Sequence, residues 1–155
     1  MKFLKRLFAL LFVACCANAS AQTIHYNIDT TFHRIAECKD GNAVFFEVKS
    51  KYPERSDHLA RRADSALQGA SLTMNGYIIF QLVIDCNGKA AKITLQQTDA
   101  KYQPIQFPKE VVERLYGFVT GLKEWKKATL EGQPVYYRTY LSFKIRNGHV
   151  AAVSP

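Results

Sequence analysis

Catalysis needs side chains that can converge, and few residues here have the types and spacing to do so. The four histidines are His25, His33, His58 and His149. None forms a His-x-x-x-His metal pair, and none lies in a Ser/His/Asp or Cys/His signature. Each reads as a surface residue. His25 and His33, eight apart, leave a loose metal site open. Glu110 and Glu113 fall three apart on an expected helix. Near that helix's N-terminus they oppose the macrodipole, and this reading is preferred to an acid/base pair. No glycine-rich phosphate loop or dinucleotide fingerprint is present. A small enzyme or metal-dependent protein using His25, His33 or Cys86 is the weakest of three functional readings, and no catalytic residue, metal or cofactor is assigned.

The cysteines point to a compartment. Lys2, Lys5 and Arg6 precede an apolar run from Leu7 to Ala14, and Ala19-Ser20-Ala21 follows as a small-x-small cleavage site. These three parts read as a signal peptide over residues 1–21, leaving Gln22 at the mature terminus. The apolar run is short of the roughly 20 residues that span a bilayer. A lipoprotein cleavage box at Val13-Ala14-Cys15-Cys16, with Phe12 where an aliphatic residue is usual, is the lesser alternative. An exported, periplasmic protein is expected. Cys15 and Cys16 would leave with the leader. Cys38 and Cys86 remain, and in an oxidising compartment two cysteines most simply form one disulfide. That bond would close a loop of 48 residues, worth about 4 kcal/mol at most.

The formal charge is +8, falling to +5 once the three basic residues of the leader are gone. Apart from Arg61-Arg62 and Lys126-Lys127 the basic residues are dispersed, and no basic stripe alternates with base-stacking aromatics. Nucleic acid is not an expected partner. The 134 residues after the leader suit one domain, and 48% apolar content over the chain argues against disorder.

The elements follow from periodicity. Residues 22–51 read as an N-terminal extension with one or two short strands, over Thr23–Asp29 and Ala43–Lys49, with a turn at Asp40-Gly41-Asn42. Pro53 forces Tyr52 out of the helical region. A helix is expected from Asp57 to Gln68, with Ser56 as N-cap, Leu59, Ala63, Ala66 and Ala70 on its apolar face, and Gly69 at its end. Tyr77 to Asp85 alternates, with Ile78, Phe80, Leu82 and Ile84 on one side and Tyr77, Gln81 and Asp85 on the other. Asn87-Gly88 suggests a two-residue hairpin turn with positive φ at both positions. Ala91 to Thr98 returns, with Ile93 and Leu95 inward. Pro108 opens a second helix, Lys109 to Lys123, whose stripe runs Val111, Leu115, Phe118, Leu122 and Trp125. Gly117 and Gly121 in it suggest a close approach by another element. Glu131 to Pro134 reads as a loop. A strand follows from Val135 to Arg146, with Tyr137, Thr139, Leu141, Phe143 and Ile145 on one face and Tyr136, Arg138, Tyr140, Ser142 and Lys144 on the other. Asn147-Gly148 ends it, and residues 149–155 read as a flexible tail. The sum is an α+β fold: an antiparallel sheet of about three to five strands with two helices on one face.

That last strand, with no strand after it, reads as an open edge, and tyrosine and arginine are common recognition anchors. An open edge can capture an extended peptide.

The stretch from Tyr52 to Gly148 resembles the C-terminal domain of TonB, the periplasmic energy-coupling protein of Gram-negative bacteria. Tyr52-Pro53 opens a helix containing Ala60, like the family's Tyr-Pro motif. Gly76 leads into a strand with Ile78, Phe80 and Leu82, then Asp85-Cys86-Asn87-Gly88, like its Asp-x-Gly hairpin. Trp125 with Ala128 is similar to its Trp-x-Pro-Ala, and Gly132-Gln133-Pro134-Val135 leads to Leu141–Gly148 like its final strand. The cysteine before the hairpin glycine looks like exported Bacteroidetes-type members. Four features depart from TonB itself: the leader looks cleavable, no proline-rich spacer is present, Lys127 stands where the motif has proline, and the first helix is longer than usual. The resemblance implies a stand-alone binding module that takes an extended peptide, as of an outer-membrane transport receptor, along the final strand. Tyr136, Arg138, Tyr140, Ser142 and Lys144 would form the partner edge, with Tyr52 and Pro53 near it. The rival reading is a self-associating envelope protein, a homodimer through the same edge.

Overall fold

The computed structural model describes residues 38–44, 52–70 and 73–154. The expected strand at 23–29, the leader, His25 and His33 lie outside them, as do residues 45–49 of the expected second strand.

The described elements are β1 (Lys39–Val44), α1 (Ser56–Ala66), β2 (Gly76–Ile84), β3 (Ala90–Asp99), α2 (Lys109–Thr120), β4 (Ala128–Leu130), β5 (Gln133–Arg146) and β6 (His149–Ser154). The fold is α+β. Strands β2 to β6 are joined by antiparallel pairing, and β1 adds to β5 in parallel.

The alternation in β2 and β5 is what makes the core. Ile78, Phe80, Leu82 and Ile84 of β2, Ile93 and Leu95 of β3, and Tyr137, Leu141, Phe143 and Ile145 of β5 are all buried. Both helices cover this face. Helix α1 contributes Leu59, Ala63 and Leu67, and α2 contributes Val111, Val112, Leu115 and Val119. Each fully buried large aliphatic or aromatic side chain stabilises the fold by about 1.5–3 kcal/mol. Leu122 and Trp125 lie past the end of α2 and still reach the core. Arg114 of α2 donates to the carbonyls of Gln68 (2.8 Å) and Ala66 (3.5 Å), so a cation meets the carbonyl end of α1.

Several expectations change. Residues 40–42 are strand, not turn, because β1 extends along β5 there. Arg55 is the N-cap of α1; Ser56 is already helical and no side chain caps the end. Helix α2 stops at Thr120, with Gly121 at its C-cap. Among the described residues no other element approaches its glycines: a Cβ on Gly117 would meet nothing within 4 Å, and one on Gly121 only carbonyls of α2 itself.

The hairpin turns also differ. Between β2 and β3, Asp85 N–H donates to Lys89 O and Gly88 N–H to Asp85 O, and only Gly88 has positive φ (81°). This is a three-residue loop closed by a left-handed residue, not a two-residue turn. The two-residue turns flank β5. Glu131-Gly132 (φ 52° and 78°) joins β4 to β5, and Asn147-Gly148 (φ 49° and 82°) joins β5 to β6. So the expected loop at 131–134 is a tight turn running into β5, and the expected flexible tail is strand β6. Val150 and Val153 are buried, and Asp64 of α1 accepts the Val150 N–H at 2.8 Å.

Candidate functional site

Strand β5 is not an edge. Tyr137 to Ile145 pair with β2. Val135 pairs with both β4 and β1, and Tyr137 with both β1 and β2, so β1 lies opposite β2. Strand β6 takes Ser142 to Arg146 on the same side as β1. Among the described residues, 133, 134 and 138–141 have no strand partner on that side. The expected open edge at Val135 to Arg146 is therefore corrected: the chain supplies neighbours to β5 on both sides.

The outermost strand at the other end of the sheet is β3, which pairs with β2. Its far side is crossed at Thr98 by Pro104. There Ile105 N–H donates to Gln97 O at 3.3 Å, and Asp99 N–H to Gln103 O at 2.8 Å. Residues 97 and 99 thus direct their backbone groups away from β2. Alternation makes Leu95 and Ile93 do the same. Those groups carry no strand partner among the described residues.

The face of the sheet opposite the helices holds four rungs across β3, β2 and β5. They are Lys92–Val83–Arg138, Thr94–Gln81–Tyr140, Gln96–Ile79–Ser142 and Thr98–Tyr77–Lys144. Arg138, Tyr140, Ser142 and Lys144 therefore do share a face, as expected. A hollow of about 460 Å³ opens over the first two rungs, lined by Ile79, Val83, Lys92, Thr94, Arg138 and Tyr140 among others. Among the described residues no carboxylate lines it. At the far end a second hollow is lined by Tyr77, Lys144 and Arg146. Tyr102 stacks on Tyr77 there, with ring centres 5.2 Å apart and planes 9° apart. Tyr102 is 67% exposed. Its φ of 62° places it in the left-handed region that non-glycine residues seldom adopt. Its hydrogen bond with Tyr77 holds its hydroxyl proton and pushes its pKa above the usual tyrosine value.

The disulfide closes the other end of the face. Cys38 and Cys86 are bonded, with Cα atoms 5.6 Å apart. Their cluster includes Tyr136 and packs against Val83. Tyr136 is thus buried rather than presented to a partner. Cys86 has no free thiol, so the nucleophile reading for it does not hold.

Tyr52 and Pro53 lie elsewhere. Tyr52 belongs to the helix-side core and meets the edge of Trp125 at 4.9 Å. Burial, and then the charge of Glu54, push its pKa up. The sheet separates Tyr52 from the face of Arg138 and Tyr140. Glu110 pairs with Arg114 (2.5 Å) and Glu113 with Lys109 (3.5 Å), so both act as helix ion pairs. Among the described residues no three His, Cys, Asp or Glu are grouped to hold a metal.

Sequence reasoning missed Lys92, Thr94, Ile79, Val83 and Tyr102. Alternation already placed Ile79 and Val83 beside Gln81, on the outward side of β2. Tyr102 sits in a loop with no periodic signal.

Comparison with protein-family models, curated proteins and solved structures finds no match.

Proposed function

We propose that this chain is an exported, periplasmic protein-binding module that takes an extended segment of an outer-membrane transport receptor by strand addition. The resemblance of Tyr52 to Gly148 to the TonB C-terminal domain suggests the partner class. One structural observation supports the mode: β3 offers outward-directed backbone groups at Ile93 and Leu95 with no strand partner among the described residues. The receiving edge is accordingly moved from β5 to β3. Main-chain hydrogen bonds supply affinity at such an edge, while adjacent side chains choose the partner. Lys92 and Thr94, on the same strand, already line the larger hollow.

Amide hydrogen exchange on the mature protein tests this. Adding the periplasm-exposed segment of a receptor from the native envelope should slow exchange at Ile93 and Leu95. Unchanged exchange at both positions, with the segment bound, rules out addition at β3. Light scattering separates the rival: pairing of two copies through this edge gives twice the monomer mass without any peptide.

A further inference from the structure

We propose that the outer face of the sheet selects an acidic segment of the partner, with a carboxylate held between Lys92 and Arg138. This rests on the peptide-binding reading and adds to it the chemistry of the peptide. Lys92 and Arg138 stand on either side of Val83 in one rung, with one strand between them. At about 4.8 Å per strand their Cα atoms are about 10 Å apart. Both side chains line the hollow, Val83 stands between them, and Gln81 and Ile79 continue its floor along β2. Neither cation has an ion pair with any described residue, whereas Arg55, Arg61, Arg62, Lys109 and Arg114 on the helical layer are each matched to a carboxylate.

The contrast is the reason to infer an external anion. On the helix side these five basic residues pair with carboxylates of the fold, Arg55 and Arg61 sharing Asp57. On the outer face Lys92, Arg138, Lys144 and Arg146 line two hollows whose described lining residues include no carboxylate. Asp85, two residues beyond Val83, is buried and accepts the N–H groups of Asn87 and Lys89 on one oxygen. A bidentate carboxylate suits the Arg138 guanidinium. Val83 and Ile79 suit an apolar group flanking that acid, Gln81 between them offers a hydrogen bond, and Tyr140 offers an exposed ring beside it. Arg138 and Lys144 are six residues apart on β5, about 20 Å at strand rise.

The probe is a fluorescein-labelled peptide of about ten residues in which Glu alternates with Val, long enough to span the face. Its control carries Gln for Glu, and dextran sulfate serves as a polyanion that is not a peptide. Fluorescence anisotropy with the mature protein should show the Glu peptide binding at least about tenfold tighter than the Gln peptide. Arg138→Glu and Lys92→Glu should each remove that preference, while Lys109→Glu on the opposite layer should leave it. Arg138→Gln and Lys92→Gln, with circular dichroism as a fold check, serve if a reversal disturbs folding. Equal affinity for the two peptides overturns the proposal, as does an equal loss from Lys109→Glu. Dextran sulfate binding tighter than the Glu peptide, with the same loss at Arg138, overturns the acidic peptide in favour of an anionic polysaccharide. Failure here is distinct from failure of strand addition. Slowed exchange at Ile93 and Leu95 with the Gln peptide keeps strand addition and sinks the charge selection. Charge-selective binding without that protection does the reverse.

Discussion

Tyr137 carries a hydroxyl into the core, where it has no hydrogen-bond partner among the described residues. Burial alone pushes its pKa far above the ordinary value near 10. A buried donor without a partner costs about 1–3 kcal/mol of desolvation. Tyr137→Phe keeps the ring and removes that cost, so urea unfolding should show equal or greater stability, by up to about 1 kcal/mol. A loss above 1 kcal/mol would mean the hydroxyl is satisfied. The same residue sets an alkaline limit. Unfolded, it ionises near pH 10; folded, it stays protonated. Above pH 10 the unfolded state therefore binds fewer protons, and stability falls as pH rises. The slope should approach about 1.4 kcal/mol per pH unit for one such group. Tyr137→Phe should be shallower there and parallel to the parent below pH 9. Gly76 makes a different residue-scale point: a Cβ would lie 2.1 Å from Thr98 O, so the start of β2 is closed to any other residue. The glycine is plain in the sequence; the strand pressed against it is not.

Among the elements, β6 changes the reading of the molecule most. Asn147-Gly148 carries the same dipeptide as Asn87-Gly88, yet only the former adopts positive φ at both positions. In the first loop Asp85 Oδ1 accepts from Asn87 and Lys89 N–H, both at 2.8 Å, and this favours the longer turn. The loop after β3 repeats the device: Asp99 Oδ1 accepts from Lys101 N–H at 2.8 Å and Gln103 N–H at 2.9 Å, with Tyr102 in the left-handed position. Sequence pattern named the dipeptide, and the neighbouring aspartate decided its geometry. Truncation after Gly148 tests what β6 contributes. It removes the buried Val150 and Val153 and leaves Asp64 without its backbone donor. Each valine is worth about 1.5 kcal/mol or more, so the unfolding free energy should fall by about 3 kcal/mol or more. A flexible tail would make no difference.

At the scale of the whole molecule, the Cys38–Cys86 bond ties the start of β1 to the β2–β3 loop across a separation of 48 residues. Replacing both cysteines with serine should lower stability by about 2–4 kcal/mol. Exchange at Lys39–Val44 should speed up more than in β2, because β1 is held at its other side by β5 alone among the described strands. Equal acceleration in both would mean that the bond acts on the unfolded chain only.

The sequence by itself determined the α+β class, the two helices, the inward faces of β2, β3 and β5, and which residues of β5 share the outward face. Those follow from local periodicity: a period of two or 3.6 needs no knowledge of neighbours. Only the tertiary structure decided the order of the strands, and with it that β5 lies inside the sheet while β3 lies at its rim. Strand order depends on pairings between distant segments, such as Gly76 with Ile145, that leave no local trace. The candidate site divides along the same line. Arg138, Tyr140, Ser142 and Lys144 were legible as one face of one strand. Lys92 and Val83 joined them because β3 and β2 pair beside β5, a consequence of register rather than of residue type.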